Sequence, residues 1–178
     1  MKTIMSVDAG FTATGWAILR NGEIVDAGCI RTEPTARKKA VRVSDDDCER
    51  GRLIARGLAE IINKYEVGGL IAELPTGGAK AARAISCMAR AAAIVATVSE
   101  LLKIPSEWVT PQAVKKIAGA NDASKKAVEA VVLMRWPTAP LPKLKCEREH
   151  VADALGAYLA AEFGTLVRVL NAPEQEGA

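Results

Sequence analysis

The sequence predicts an α/β fold: a mixed sheet of three antiparallel strands followed by parallel strands, with helices on both faces. Three observations predict it. Residues 3–32 hold three short apolar runs, the second and third joined by Asn21-Gly22, a two-residue hairpin signal. Beyond residue 46, stretches with apolar residues at helical spacing alternate with short strand-like runs. At 178 residues, 49% hydrophobic and 25% charged, the chain suits one domain with a sizeable core. That domain is placed over residues 1–170, with 171–178 as a flexible tail.

Each element follows in order. TIMSVD at 3–8 is an apolar run ending in an acid. AGFTATG at 9–15 reads as a turn, WAILR at 16–20 as the second strand and EIVDAGCIRT at 23–32 as the third. Residues 33–46 carry Pro34 and a basic cluster without periodicity, and read as a mobile loop. Over 47–65, Leu53, Ile54, Leu58, Ile61 and Ile62 recur at helical spacing. A short strand at 69–74 is closed by PTGG. An alanine-rich helix spans 79–103, with Ile85, Met88, Ala92, Val95, Val98 and Leu102 as its apolar face. A brief strand at 108–110 precedes Pro111, which opens a short helix as a first-turn proline. A helix at 124–136, capped by Asp122 or Ser124, leads through a proline-rich loop to a final helix at 147–163.

Composition excludes some functions and leaves others open. The net charge is only +3, but basic residues cluster at Arg37, Lys38, Lys39 and Arg42, at Lys115-Lys116, at Lys125-Lys126 and at Lys143/Lys145. Any one such pair reads first as solvated surface. The four cysteines, Cys29, Cys48, Cys87 and Cys146, form no CxxC pair, which argues against a zinc knuckle and for a reduced, cytoplasmic protein. No start of signal-peptide type is present. The apolar stretch 84–102 is interrupted by Arg90 and Glu100, so it reads as a buried helix and not a membrane span.

Two acids end apolar strands: Asp8 and Glu73. A strand-end aspartate commonly accepts bonds from the turn that follows. A glutamate beside Ile71 and Leu74 has no such structural need, and two acids on buried strands repel unless a cation lies between them. The final helix adds His150 and Asp153, spaced i, i+3 and so on one face, among Val151, Ala152, Ala154 and Leu155. Singly, these two read as a core histidine and a buried acceptor. Jointly, four oxygen or nitrogen donors on three elements read as a site for Mg²⁺ or Mn²⁺. Two such cations about 4 Å apart activate a water and stabilise the leaving oxygen of an in-line phosphoryl displacement.

VDAGFTATGWAIL, the hairpin, IAEL, the alanine-rich helix and HVADALGAYLAA together resemble the RuvC-type Holliday junction resolvases of the RNase H-like superfamily. The resemblance runs from residue 3 to about residue 163. It implies a metal-dependent endonuclease that nicks four-way DNA junctions symmetrically, acting as a homodimer in a bacterial or phage-infected cytoplasm. It also implies Asp8 as the acid shared by two metals, Glu73 as the second-strand acid, and His150 and Asp153 at the two final-helix positions. Many members have aspartate where His150 stands; the histidine implies either metal ligation or proton transfer. Lys115 or Lys116 and Lys125, with Lys126 beside it, match the family's basic positions for the DNA backbone. Lys80 and Arg83 are expected to face the same cleft. One departure is that ELPTGGAK lacks the aromatic residue that family members usually carry beyond the strand-four acid. This departure resembles that of bacteriophage versions with looser substrate choice. The small residues Ala81, Ala82, Ala89, Ala91 to Ala93 and Ala96 suit either a dimer interface or packing on the chain's own sheet.

Three other readings share parts of this pattern. A broader branched-DNA or flap nuclease, or a YqgF-like RNA-processing nuclease, would keep all four site residues. An actin- or sugar-kinase-type ATPase shares the first motif but needs a second phosphate loop and a second domain. A non-catalytic junction-binding module is disfavoured, because all four ligand positions are filled.

Overall fold

The structure, a computed structural model, describes residues 2–35, 41–75 and 81–171. Its strands are β1 (Thr3–Asp8), β2 (Ala13–Arg20), β3 (Glu23–Arg31), β4 (Val67–Glu73) and β5 (Ser106–Val109). The helices are α1 (Val43–Tyr65), α2 (Ala82–Leu101), α3 (Pro111–Lys116), α4 (Lys125–Arg135), α5 (Lys145–Ala161) and α6 (Thr165–Asn171). The sheet order is β3-β2-β1-β4-β5. β1 pairs antiparallel with β2, and β2 with β3, whereas β1/β4 and β4/β5 are parallel. Asn21 and Gly22 both have positive φ, 55° and 77°, as a primed two-residue turn requires.

Strand alternation gives the sheet two apolar faces. Ile4, Ala17, Leu19 and Ile71 pack with Val151, Leu155 and Tyr158 of α5 and with Val128 and Val132 of α4. Met5, Val7, Ile18 and Leu70 pack with Ile54, Leu58 and Ile62 of α1 and with Ala91 and Val95 of α2. Asp8 shares the α5 face, two and four residues beyond Ser6 and Ile4. The β1/β4 register shifts once: Thr3 pairs with Val67, but Ile4 pairs with Gly69, leaving Gly68 as an extra residue.

Several elements depart from the sequence reading. β2 begins at Ala13, so Thr14 and Gly15 belong to the strand and not to the turn. α1 begins at Val43, four residues before Asp47, with Asp45 and Asp46 in its first turn, where acids favour the positive helix end. Of the loop expected at 33–46, residues 36–40 lie outside the described residues, as do 79 and 80 of the long helix. α2 is not a buried helix: Ala91, Val95, Val98 and Ser99 face inward, while Ile85 and Leu101 are 53% and 75% exposed. It is long and apolar enough to cross a membrane by length and composition, and here it packs along α1. α6 was not foreseen; its Val167 and Leu170 complete the α5-side core. Of the tail expected over 171–178, Asn171 instead ends α6, and residues 172–178 lie outside the described residues. Ser124 is the cap of α4, accepting from the Ala127 N–H at 3.3 Å, and Thr110 caps α3 in the same way.

One polar cluster ties α1, α2 and the β1–β2 turn together. The Asp47 carboxylate, buried in α1, accepts hydrogen bonds from both Arg83 and Arg90 of α2. Buried Arg50 lies 3.9 Å from the same carboxylate. Arg50 donates to Thr32 Oγ1 at 3.0 Å and to the Phe11 carbonyl at 3.4 Å, with its guanidinium 4.6 Å above the Phe11 ring. The bonds from Arg83 hold the Asp47 carboxyl well down, at about 2, despite its burial.

Gly15 sets how closely α5 lies on the sheet. A Cβ at Gly15 would stand 2.1 Å from the His150 carbonyl oxygen and 2.9 Å from His150 Cβ. The contact is with helix backbone, which cannot yield by a rotamer change. Gly15→Ala is therefore expected to lower stability by about 2 kcal/mol or more and to displace His150. Urea unfolding checks the first effect and junction cleavage the second.

Candidate active site

Asp8 and Glu73 are register partners at the C-terminal ends of the central parallel strands. Adjacent strands lie about 4.8 Å apart, and equal register puts both carboxylates on one face. Gly15 pairs with Asp8 from the other side, so Asp8 stands between a residue with no side chain and a second acid. α5 crosses above them. His150 Nδ1 lies 2.5 Å from Asp8 Oδ2, and Asp153, one turn on, lies 2.8 Å from the ammonium of Lys125 in α4. Glu149 is 3.8 Å from the same ammonium. All four residues expected from the sequence thus meet at one place.

The electrostatics describe a site with excess negative charge. Burial, then the charges of Asp8 and Asp153, pushes the Glu73 carboxyl up to about 8; Lys125 and Lys115 oppose this. Burial also raises Asp153, against the hydrogen bond from Lys125. The contact with Asp8 raises His150, outweighing its burial. Crowded carboxylates with depressed acidity form the donor set that a hard divalent cation relieves. The donor chemistry therefore fits such an ion. Among the described residues, however, no three His, Cys, Asp or Glu side chains stand placed to hold one. Two of the donor atoms are instead engaged internally, Asp8 Oδ2 by His150 and Asp153 Oδ2 by Lys125.

The expected DNA-binding residues divide. Lys125 contacts the acids directly, and Lys115 lies near enough to act on Glu73 through space. Lys116 is exposed at the end of α3. Lys126 lines a groove between α4 and α5 with Glu129, Lys145, Arg148 and Glu149. Arg83 is held by Asp47. Lys80 lies outside the described residues. Gly15 and Asp47 are positioning residues that sequence reasoning missed. A glycine directly opposite a strand-end acid was the available signal for the first; nothing in a run of three aspartates marked the second.

The sheet order, the antiparallel-then-parallel strands and the helix crossing their ends define an RNase H-like fold. The family model for crossover junction endodeoxyribonuclease RuvC matches residues 4–160, and the chain belongs to that family of metal-dependent Holliday junction resolvases. No curated protein matches the chain. Among solved structures, T. thermophilus RuvC in complex with a Holliday junction substrate is similar at a TM-score of 0.72 and 19% identity, over 92% of this chain and 94% of that one. A second Thermus thermophilus RuvC structure gives 0.70 at 20% identity, over 90% and 93%. The chain is thus a crossover junction endodeoxyribonuclease of the RuvC family that acts on branched DNA.

The acid cluster predicts a pH dependence. Between 4.5, the ordinary value, and about 8, folded Glu73 keeps a proton that the unfolded chain has lost. Stability of the metal-free protein therefore falls as pH rises through that window. Raised Asp153 acts in the same sense, and the His150–Asp8 contact also weakens as pH rises above 6.5. In EDTA the urea midpoint is expected to drop across this range, and Glu73→Gln is expected to flatten the drop. An unchanged slope in that variant would count against the assignment of the effect to Glu73.

Proposed function

We propose that this chain resolves four-way DNA junctions by symmetric nicking, with Asp8, Glu73, His150 and Asp153 as its catalytic and metal-binding residues. The observation that carries the reading is the meeting of these four side chains at the ends of β1 and β4. Mg²⁺ or Mn²⁺, two per site, would supply an activated water and charge neutralisation at the leaving oxygen. In this reading Asp8, which has Glu73 and Gly15 as its register partners, would hold both cations. Glu73 and Asp153 complete the oxygen donors. Loading the site through the engaged oxygens, Asp8 Oδ2 and Asp153 Oδ2, requires Asp8 to part from His150 and Asp153 from Lys125. His150, once released, can ligate through a ring nitrogen or carry a proton to and from water. Lys115, Lys116, Lys125 and Lys126 are proposed to contact backbone phosphate, which gives affinity without sequence reading. The same role is proposed for Lys80 and Arg83, the latter at the cost of its bonds to Asp47.

The junction complex of the Thermus protein supports this substrate. The missing aromatic beyond Glu73 favours a second reading, a less selective branched-DNA nuclease. The deciding experiment offers a mobile four-way junction beside matched duplex, fork and flap, with Mg²⁺ or Mn²⁺. Paired symmetric nicks confined to the junction are expected; cutting of every branched substrate would establish the second reading. Asp8→Asn is expected to abolish cleavage while junction binding survives, as a gel-shift assay can check. Full cleavage by that variant would overturn the site assignment.

Cutting two strands symmetrically needs two sites related by a two-fold axis, and we propose a homodimer. The apolar groove between α1 and α2, lined by Phe11, Ala55, Ala93, Ile94, Thr97 and Leu101, is the surface proposed to receive the second copy. Exposed Ala93 permits close approach there, and exposed Ala89 and Ala96 on the same helix extend the small-residue surface, whereas Ala91 is consumed by the chain's own core. Leu101→Glu is expected to shift the sedimentation velocity toward the monomer. A dimer unchanged by that substitution would move the interface elsewhere.

A further inference from the structure

Lys125 occupies an unusual position for a cation. It is the first residue of α4, at the positive end of the helix dipole, and the first turn holds no acid. Its stem is half exposed, with 56% of the side chain accessible, while the Asp153 it contacts is 15% exposed. The ammonium, also 3.8 Å from Glu149, therefore spans the boundary between the acid cluster and a groove where Lys126, Lys145 and Arg148 outnumber Glu129 and Glu149. Burial disfavours its charge, and the hydrogen bond to Asp153 together with the negative charges of Asp153, Asp8 and Glu149 more than restores it.

From this placement we infer that Lys125 is the built-in counter-cation of the site: it holds Asp153 until DNA phosphate takes the ammonium, so that DNA and metal binding are coupled through one side chain. This rests on the site proposed above. An ammonium 2.8 Å from Asp153 Oδ2 and a divalent ion on the same oxygen repel strongly and exclude one another. A metal that binds this oxygen must therefore evict Lys125, and a backbone phosphate at the mouth of the groove offers the evicted charge a partner. Linkage then requires each ligand to strengthen the other. Without DNA, Lys125 keeps the acids apart from free cations. With DNA bound, it releases Asp153 to them. Lys125 is in this sense a positioning residue that acts through Asp153.

The test reads metal binding directly, without turnover. Mn²⁺ affinity is measured from the paramagnetic signal of the free ion, in the absence of DNA, for the wild type, Lys125→Met, Lys125→Arg, Lys115→Met and Asp8→Asn. Lys125→Met is expected to bind Mn²⁺ roughly tenfold more tightly than the wild type, and Lys115→Met, which removes a nearby charge without a contact, about twofold or less. Lys125→Arg keeps the contact and is expected to stay weak. Junction affinity is then compared in Ca²⁺ and in EDTA by fluorescence anisotropy, with the junction checked to be intact afterwards. The Ca²⁺ enhancement is expected to fall severalfold in Lys125→Met. Equal Mn²⁺ affinity in the wild type and Lys125→Met, or an equal gain in Lys115→Met, overturns the inference. If Asp8→Asn also loses the ion, that failure leaves the site reading standing. Undiminished binding by Asp8→Asn would overturn the site reading and the inference together.

Discussion

Three carboxylates forced onto one spot govern this molecule. Asp8 and Glu73 are neighbours by strand register, and Asp153 is brought over them by α5. The charges of Asp8 and Asp153 add to burial in raising the proton affinity of Glu73, and its ionisation disfavours the folded chain. The surrounding protein responds with positive charge on two sides: His150 on Asp8 and Lys125 on Asp153. The arrangement is held under tension by packing elsewhere, chiefly the apolar contacts of α5 with β1, β2 and β4. A site that stores repulsion of this kind is prepared for a cation before one arrives.

The opposite face of the sheet solves a mirror-image problem. There one buried carboxylate, Asp47, serves arginines from both α1 and α2. Cations outnumber the acid, and two of the three guanidiniums, those of Arg83 and Arg90, remain about half exposed, so solvent carries part of their charge. Arg50 is buried and finds its remaining partners in Thr32, just after β3, and in Phe11 and Thr12 of the turn after Asp8. The two clusters thus grip the β1–β2 turn from either end. Thr14 adds a 2.7 Å bond to the Gly10 carbonyl, and Thr32 a 2.6 Å bond to that of Phe11.

Much of this was legible in the sequence because the chemistry is local. Asn21-Gly22 announced its turn, Pro111 and Ser124 their helix starts, and the acids Asp8 and Glu73 stood out against apolar strands. His150 and Asp153 declared a shared face by spacing alone. What could not be read depends on contacts between distant segments. Gly15 looked like part of a turn because its reason, the backbone of residue 150, is 135 positions away. Asp47 stands in a run with Asp45 and Asp46 that offers no way to tell them apart, although only it meets Arg83 and Arg90. α2 looked buried because alanine is compatible with both a core and an open flank. α6 was missed because seven residues carry too few turns to show a period.

The extra residue at Gly68 in β4 bears on where Glu73 points. Val67 and Leu70 belong to the same α1-side core although an odd number of positions separates them, which strict alternation forbids. The irregularity resets parity. Everything after it, Ile71 and Glu73 included, takes the side it would otherwise have lacked. If Gly68 instead took a regular place in the ladder, with the pairing at Thr3 kept, Glu73 would fall opposite residue 9 and turn toward α1, away from Asp8. An odd or even count of backbone units, at the far end of the strand from the chemistry, decides whether two carboxylates ever meet.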